Sequence, residues 1–142
     1  MIKEKGYIRI GYFDNFKGED TILISVDING LLVLEELFLK LSNGLSDFHL
    51  TNLKSLDVNF HLKINAITSN ENIGLRKTIS DNYDWINTKQ KWSEFREQVT
   101  TMISNSKGGH HYLDSNSVDC NELQVVLSWD EYSLVFWEEH KM

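Results

Sequence analysis

Two adjacent histidines and a nearby aspartate form the one local cluster of metal-ligand side chains in this sequence: His110, His111 and Asp114. Adjacent residues of a strand point to opposite faces, so His110 would share a face with Asp114 whereas His111 would not. A catalytic zinc site usually has three protein ligands, and His49 or His61 could complete such a set. These residues define one hypothesis, a small metal- or ligand-binding enzyme centred on the His110 and His111 region.

Other enzymatic motifs are absent from the sequence. There is no Gly-x-Ser-x-Gly elbow, and the Gly108-Gly109 pair follows a predicted helix instead of opening one as a phosphate loop does. The single Cys120 cannot form an internal disulfide, and the neighbouring Asp119 and Glu122 do not favour a reactive thiolate. We therefore expect a protein that is not an enzyme and that needs no cofactor or metal.

Acidic residues concentrate after the second predicted helix, and aromatic residues accompany them. Aromatic anchors ringed by acids suit an interface that captures a basic protein. The alternative is that the aromatic residues belong to the core and the acids are scattered. The predicted partner-binding residues are Asp114, Asp119, Glu122, Asp130, Glu131, Tyr132, Trp137, Glu138 and Glu139.

The overall charge favours the same kind of partner. The chain has 14 Lys and Arg against 21 Asp and Glu, a net charge of −7. Binding to nucleic acid depends on clustered basic residues, so the sequence predicts no nucleic-acid partner.

No stretch approaches the roughly 18 apolar residues of a membrane span, and the first residues lack the apolar core of a signal peptide. We expect a cytoplasmic protein with no membrane partner. The acidic composition has an alternative explanation, because a net negative charge also keeps a protein soluble.

The pattern of apolar residues predicts one domain over residues 1–142 with an α+β fold. Alternation over 6–13 and 21–28 indicates a hairpin, and the clearest strand is predicted over 56–66. Two amphipathic helices are expected, one capped by Asn29 and the other opened by Asn87. The order predicts two β-α-β-β-like halves that form a largely antiparallel sheet with two helices on one face. The tail over 134–137 is expected to add an edge strand or to lie across the sheet.

The first predicted helix has an unusual outer face. Its core stripe consists of Leu31, Leu34, Leu37, Phe38 and Leu41. Leu32 and Leu39 are one heptad apart on the opposite side, where a helix that packs on a sheet faces solvent. They indicate a second partner contact or the contact of a homodimer, unless a neighbouring loop covers them.

The block Gly109-His-His-Tyr-Leu-Asp114, followed by Gln124-Val-Val-Leu-Ser-Trp-Asp-Glu-Tyr132, resembles a known family. It is similar to the closing block of small bacterial immunity proteins of polymorphic toxin and contact-dependent growth inhibition systems. Ile28-Asn-Gly-Leu31 and Phe48-His-Leu50 are compatible with that group as well.

The resemblance implies a non-enzymatic inhibitor in the cytoplasm of a toxin-producing cell. Such a protein binds a cognate toxin domain and blocks it. Many of these toxins are nucleases with a basic substrate cleft, which an acidic surface can occupy.

Overall fold

The computed structural model describes residues 6–16, 18–79, 81–105, 109–115 and 122–140. This part of the chain forms eight β-strands, three α-helices and a short 3-10 helix at Leu50–Asn52. The strands are β1 (Ile8–Phe16), β2 (Glu19–Val26), β3 (Asp47–His49), β4 (Lys63–Thr68), β5 (Gly74–Lys77), β6 (Asn82–Asn87), β7 (Gly109–Tyr112) and β8 (Gln124–Trp129). The α-helices are α1 (Ile28–Ser42), α2 (Lys89–Asn105) and α3 (Leu134–Glu139). The predicted α+β class is confirmed.

The described strands form two four-stranded sheets of the same design. The first sheet has the order β1-β2-β8-β7, and the second has the order β3-β4-β6-β5. In each sheet the central pair is parallel, β2 beside β8 and β4 beside β6. The outer pairs are antiparallel. Antiparallel neighbours therefore dominate, as predicted, but the strands divide between two sheets where one sheet was expected.

The division into two sheets follows from an exchange between the two halves of the chain. Each half consists of a hairpin, a helix and a second pair of strands, and each sheet combines the hairpin of one half with the strand pair of the other. Thr21 pairs with Gln124 and Lys63 pairs with Asn82. Equivalent positions are thus 61 residues apart, from 21 to 82 and from 63 to 124. The predicted repeat of two halves is present in the fold.

Equivalent side chains also cap the two long helices. Asp27 Oδ1 accepts a hydrogen bond from the N–H of Gly30 (2.9 Å), and Thr88 Oγ1 accepts one from the N–H of Lys91 (3.1 Å). Gly30 and Lys91 are again 61 residues apart. The first cap lies two residues before the predicted Asn29, and the second lies one residue after the predicted position, because aspartate and threonine are also good caps.

One hydrophobic core is formed by the two sheets together with α1 and α2. Phe38 of α1 contacts three aromatic residues of the second half, with ring centroids 5.8 Å from Trp85, 5.7 Å from Trp92 and 5.9 Å from Phe95. All four side chains are fully buried. Because both halves fill this core, neither half has a core of its own.

The clearest strand predicted from the sequence is shorter than its alternating pattern. Only β4 is a strand in this region, and residues 55–60 lie beside β1, where the N–H of Ile8 donates to the carbonyl of Ser55 (2.9 Å). Val58, which the alternation placed in the core, is 76% exposed.

The tail of the described chain forms a helix, not the edge strand that was one of the two expectations. This helix, α3, packs across the outer face of the first sheet on Leu23 of β2 and Val126 of β8. The first sheet is therefore covered on both faces. Among the described residues, no helix has the length and apolar character needed to cross a membrane.

Candidate functional site

The surface around α3 begins with the turn that follows β8. Asp130 has a left-handed backbone (φ 57°), and its N–H donates to the carbonyl of Val26 (3.0 Å). Ser133 then caps α3, since its Oγ accepts from the N–H of Phe136 (3.3 Å). The turn and the cap together place α3 on the outer face of the first sheet.

Trp137 anchors α3 to that sheet. Its ring packs against Phe13 and Phe60, with ring centroids 5.4 Å and 5.7 Å away. Gly11 permits this packing, because a Cβ atom there would lie only 2.7 Å from the Trp137 ring. The sequence suggested Trp137 as a partner contact, but at 3% exposure it supports the surface from beneath.

The outward side of α3 combines apolar side chains with carboxylates. Leu134 and Val135 are 43% and 64% exposed, and Glu138 and Glu139 are exposed beside them. Leu134 and Val135 were not among the predicted contacts, because the segment was expected to add an edge strand or to lie across the sheet and no helix was predicted there. A serine cap at position 133 was the signal for a helix. We call the following set the α3 surface: Asp130, Glu131, Tyr132, Leu134, Val135, Glu138 and Glu139.

Negative charge is dense on this surface. Residues 130–139 contain four carboxylates and no lysine or arginine, in a chain whose net charge is −7. Glu138 and Glu139 are on α3, which is only about 9 Å long, and Asp130 and Glu131 are in the turn that leads into it. The α3 surface is thus an acidic patch with an exposed apolar centre.

Both acids of the turn are held by other side chains. The hydroxyl of Tyr7 donates to Asp130 Oδ1 (2.7 Å), and burial together with this hydrogen bond raises the pKa of Tyr7. Glu131 accepts a hydrogen bond from Ser128 Oγ (2.7 Å) and lies 3.2 Å from His110 Nδ1. These contacts fix the position of both carboxylates.

The other acids proposed for partner binding lie away from α3 or outside the described residues. Glu122 accepts from the N–H (3.0 Å) and the hydroxyl (2.8 Å) of Ser115, and it packs on Gly74 of β5. Asp114 is exposed, although desolvation of its carboxyl group and the charge of Glu122 raise its pKa. Asp119 lies outside the described residues. Glu122 is therefore fixed at the edge of the second sheet, whereas α3 lies on the first.

A second apolar surface lies on α1. Leu32 and Leu39, which the helical periodicity placed away from the core, are 45% and 36% exposed. Ile28 is 38% exposed one turn before Leu32. We call these three residues the α1 stripe. An exposed acid lies along it, Glu36, which pairs with Lys40 (3.1 Å).

The histidine pair on β7 is arranged as the strand geometry requires. His110 is exposed and contacts Glu131, while His111 lies opposite Leu127 of β8. Within the described ranges, no three His, Cys, Asp or Glu side chains are placed to hold a metal ion. A metal centre completed by His49 or His61 therefore has no ligand set in this part of the chain.

Comparison of the chain with protein-family models, curated protein sequences and solved structures gives no significant match. Its function is therefore inferred from its own surfaces and from the motif resemblance of residues 109–132.

Proposed function

We propose that this protein is a non-enzymatic binding protein whose α3 surface captures a basic protein partner. The observation that carries the proposal is the pair of exposed apolar side chains, Leu134 and Val135, among four carboxylates. Apolar anchors that exclude water supply most of the binding energy of an interface, and a charged rim supplies orientation. The buried Trp137 beneath the helix holds this surface in place.

The resemblance to immunity proteins supports a more specific proposal. The partner is a cognate toxin domain, and this protein neutralises it in the cytoplasm. The resembling block ends at Tyr132, so it leads directly into α3. A toxin that acts on nucleic acid needs a basic cleft, and an acidic surface is complementary to such a cleft.

The α1 stripe is a second contact in this proposal. Exposed apolar side chains at helical spacing suit the groove of a partner or the equivalent helix of another copy of the chain. The nearby Glu36 is paired with Lys40, so the α1 stripe offers mainly apolar contact. Because α1 packs on the inner face of the first sheet and α3 on its outer face, the α1 stripe is a separate contact and not an extension of the α3 surface.

A charge-reversal experiment tests the α3 surface. The Glu138→Lys/Glu139→Lys variant reverses two exposed charges without touching the buried side of the helix. The matched control is Glu71→Lys/Glu97→Lys, which changes net charge equally at two exposed residues outside α3. A tagged chain captures its partner from a lysate of the source cells, and co-expression with that partner in a growth assay measures neutralisation.

We expect the α3 variant to bind the captured toxin at least about tenfold more weakly and to lose protection, because like charges would face each other across the interface. The control variant should bind and protect like the unaltered protein. Equal binding by the two variants would exclude the α3 surface. Capture of partners that are not toxic would exclude the immunity function.

A further inference from the structure

A pocket of about 540 Å³ opens between β1, residues 59–62, the ends of β5 and β6, and α3. This volume lies within the range of pockets that enclose small ligands or side chains. The Trp137 Nε1 atom is buried, so that ring contributes apolar surface. The aromatic residues that line the pocket are Tyr12, Phe13, Phe60, Tyr83 and Trp137.

Two histidines that line the pocket, His61 and His140, each place Nδ1 beside a backbone carbonyl oxygen. His61 Nδ1 lies 3.0 Å from the carbonyl oxygen of Val58, and His140 Nδ1 lies 2.8 Å from that of Phe136. A carbonyl oxygen only accepts hydrogen bonds, so Nδ1 carries the proton in both rings. In the neutral form of an imidazole whose Nδ1 carries the proton, Nε2 is an acceptor. His140 also stacks on Phe136, with centroids 4.3 Å apart, which fixes the plane of its ring.

One carboxylate and one ammonium group also line the pocket. Asp81 and Lys77 are paired there, with Lys77 Nζ 3.4 Å from Asp81 Oδ1. Both side chains of this pair are more than half exposed, and such pairs open easily. Tyr12 also lines the pocket, and burial together with the carboxylates of Asp20 and Asp14 raises its pKa to about 12.

From this lining we infer that the pocket binds a guanidinium group, the end of an arginine side chain on the partner. A guanidinium is planar, stacks on aromatic rings, and carries five N–H donors with no acceptor. The lining residues supply aromatic walls and groups that can accept hydrogen bonds, namely the imidazoles of His61 and His140 and the Asp81 carboxylate. An arginine that enters would replace Lys77 as the partner of Asp81.

The inference rests on the proposed function for the source of the arginine. Trp137 and His140 line the pocket and come from the same helical segment as Glu138 and Glu139, so a partner on the α3 surface lies next to the pocket. The binding of a free guanidinium compound tests the pocket without any partner.

The experiment titrates N-acetyl-arginine amide into the full ¹⁵N-labelled chain and follows the Trp137 indole signal by NMR. We expect saturable shifts of this signal. N-acetyl-lysine amide should bind at least about tenfold more weakly, because an ammonium group cannot stack on an aromatic ring or donate two parallel hydrogen bonds. The His61→Phe/His140→Phe variant keeps the rings but removes both acceptors, and it should weaken arginine binding about tenfold. The control variant is His49→Phe, an exposed histidine on β3, and thermal unfolding verifies that both variants are folded.

Absence of saturable shifts, equal binding of the two probes, or an unaffected His61→Phe/His140→Phe variant that remains folded would overturn the inference. The proposed function would stand if the protein still captured the toxin and if charge reversal on α3 still abolished that binding. Replacing each arginine of the captured partner by lysine, one at a time, tests whether the bound guanidinium belongs to the partner. A substitution that weakens the complex about as much as the His61→Phe/His140→Phe variant does would support an arginine of the partner. If none does, the arginine does not come from the partner, and that part of the inference is wrong.

Discussion

Tyr7 joins two regions that are distant in the sequence. Its N–H donates to Asp27 Oδ1 (3.0 Å), and its hydroxyl donates to Asp130 Oδ1 (2.7 Å). Asp27 also caps α1, and the Arg9 guanidinium lies 4.0 Å from the centre of the Tyr7 ring. This one residue therefore contacts the start of α1 through its backbone and the acidic turn before α3 through its side chain.

We predict that Tyr7 makes the protein sensitive to alkaline pH. Burial and Asp130 raise the pKa of Tyr7 above its ordinary value of 10.0, so the folded chain holds this proton more tightly than the unfolded chain does. The stabilisation is complete below pH 10 and is lost as the pH rises further. Tyr7→Phe should lower the free energy of unfolding by about 1 kcal/mol at pH 8 and should flatten its decline between pH 8 and pH 11.

Urea unfolding at several pH values measures this effect. Tyr112→Phe, at a 42% exposed position on β7, is the matched control and should decline like the unaltered chain. An unchanged slope for Tyr7→Phe would show that its proton is not linked to folding.

At the residue scale, the sequence predicts exposure well where local periodicity decides it. Leu32 and Leu39 are exposed as their positions on a helix required. Trp137 is buried because Gly11, far away in the sequence, leaves room for its ring. Glu122 is held by Ser115 and packs on Gly74 of another sheet. Such contacts have no local signal, so the sequence could not show which acids remain available to a partner.

Among the elements, α1 offers a clear contrast between its two faces. Leu32→Ser/Leu39→Ser should change the free energy of unfolding by no more than about 0.5 kcal/mol per site, because both side chains already contact water. Leu34→Ala, on the buried face, should cost about 2–5 kcal/mol. The first variant should nevertheless weaken capture of the partner.

Thermal and urea unfolding measure the two stabilities, and sedimentation distinguishes the two roles of the α1 stripe. If the unaltered chain is dimeric and the Leu32→Ser/Leu39→Ser variant is monomeric, the α1 stripe forms the contact of a homodimer. Unchanged capture together with an unchanged oligomeric state would mean that the stripe has neither role.

Most of the elements could be predicted in kind and order, but β6 and α3 were not, and the partners of the strands could not be predicted. Alternation identifies most of the strands, and the 3.6-residue period identifies both long helices. The segment 55–60 also alternates, yet its backbone bonds to β1 and Val58 faces solvent. Periodicity gives the shape that a segment can adopt, whereas its hydrogen-bond partner depends on the topology.

At the scale of the whole molecule, the exchange of strand pairs makes the two halves interdependent. Each sheet is completed by the parallel contact of strands from different halves, β2 with β8 and β4 with β6. The loop between the halves contains the exposed residues Asn70 and Glu71. A cut there would leave all strands intact while separating the halves.

We predict that fragments 1–70 and 71–142 are each unfolded as monomers and fold when mixed. Each fragment alone lacks half of both sheets and half of the core, so its apolar surface has no cover. Circular dichroism and NMR of the separate and mixed fragments measure this. A separate fragment that is monomeric and unfolds cooperatively would contradict the prediction.

Because the sheets exchange strands between the two halves, β2 is synthesised long before its partner strand β8. Thr21 of β2 accepts a hydrogen bond from Gln124 of β8, a residue made 103 positions later. At roughly 5–20 residues per second, the ribosome needs about 5–20 s to make that distance. During this interval the apolar strand β2 has one unpaired edge, a template for pairing with other chains. The growing chain therefore exposes an extended apolar segment during this interval, and the α3 surface is completed last.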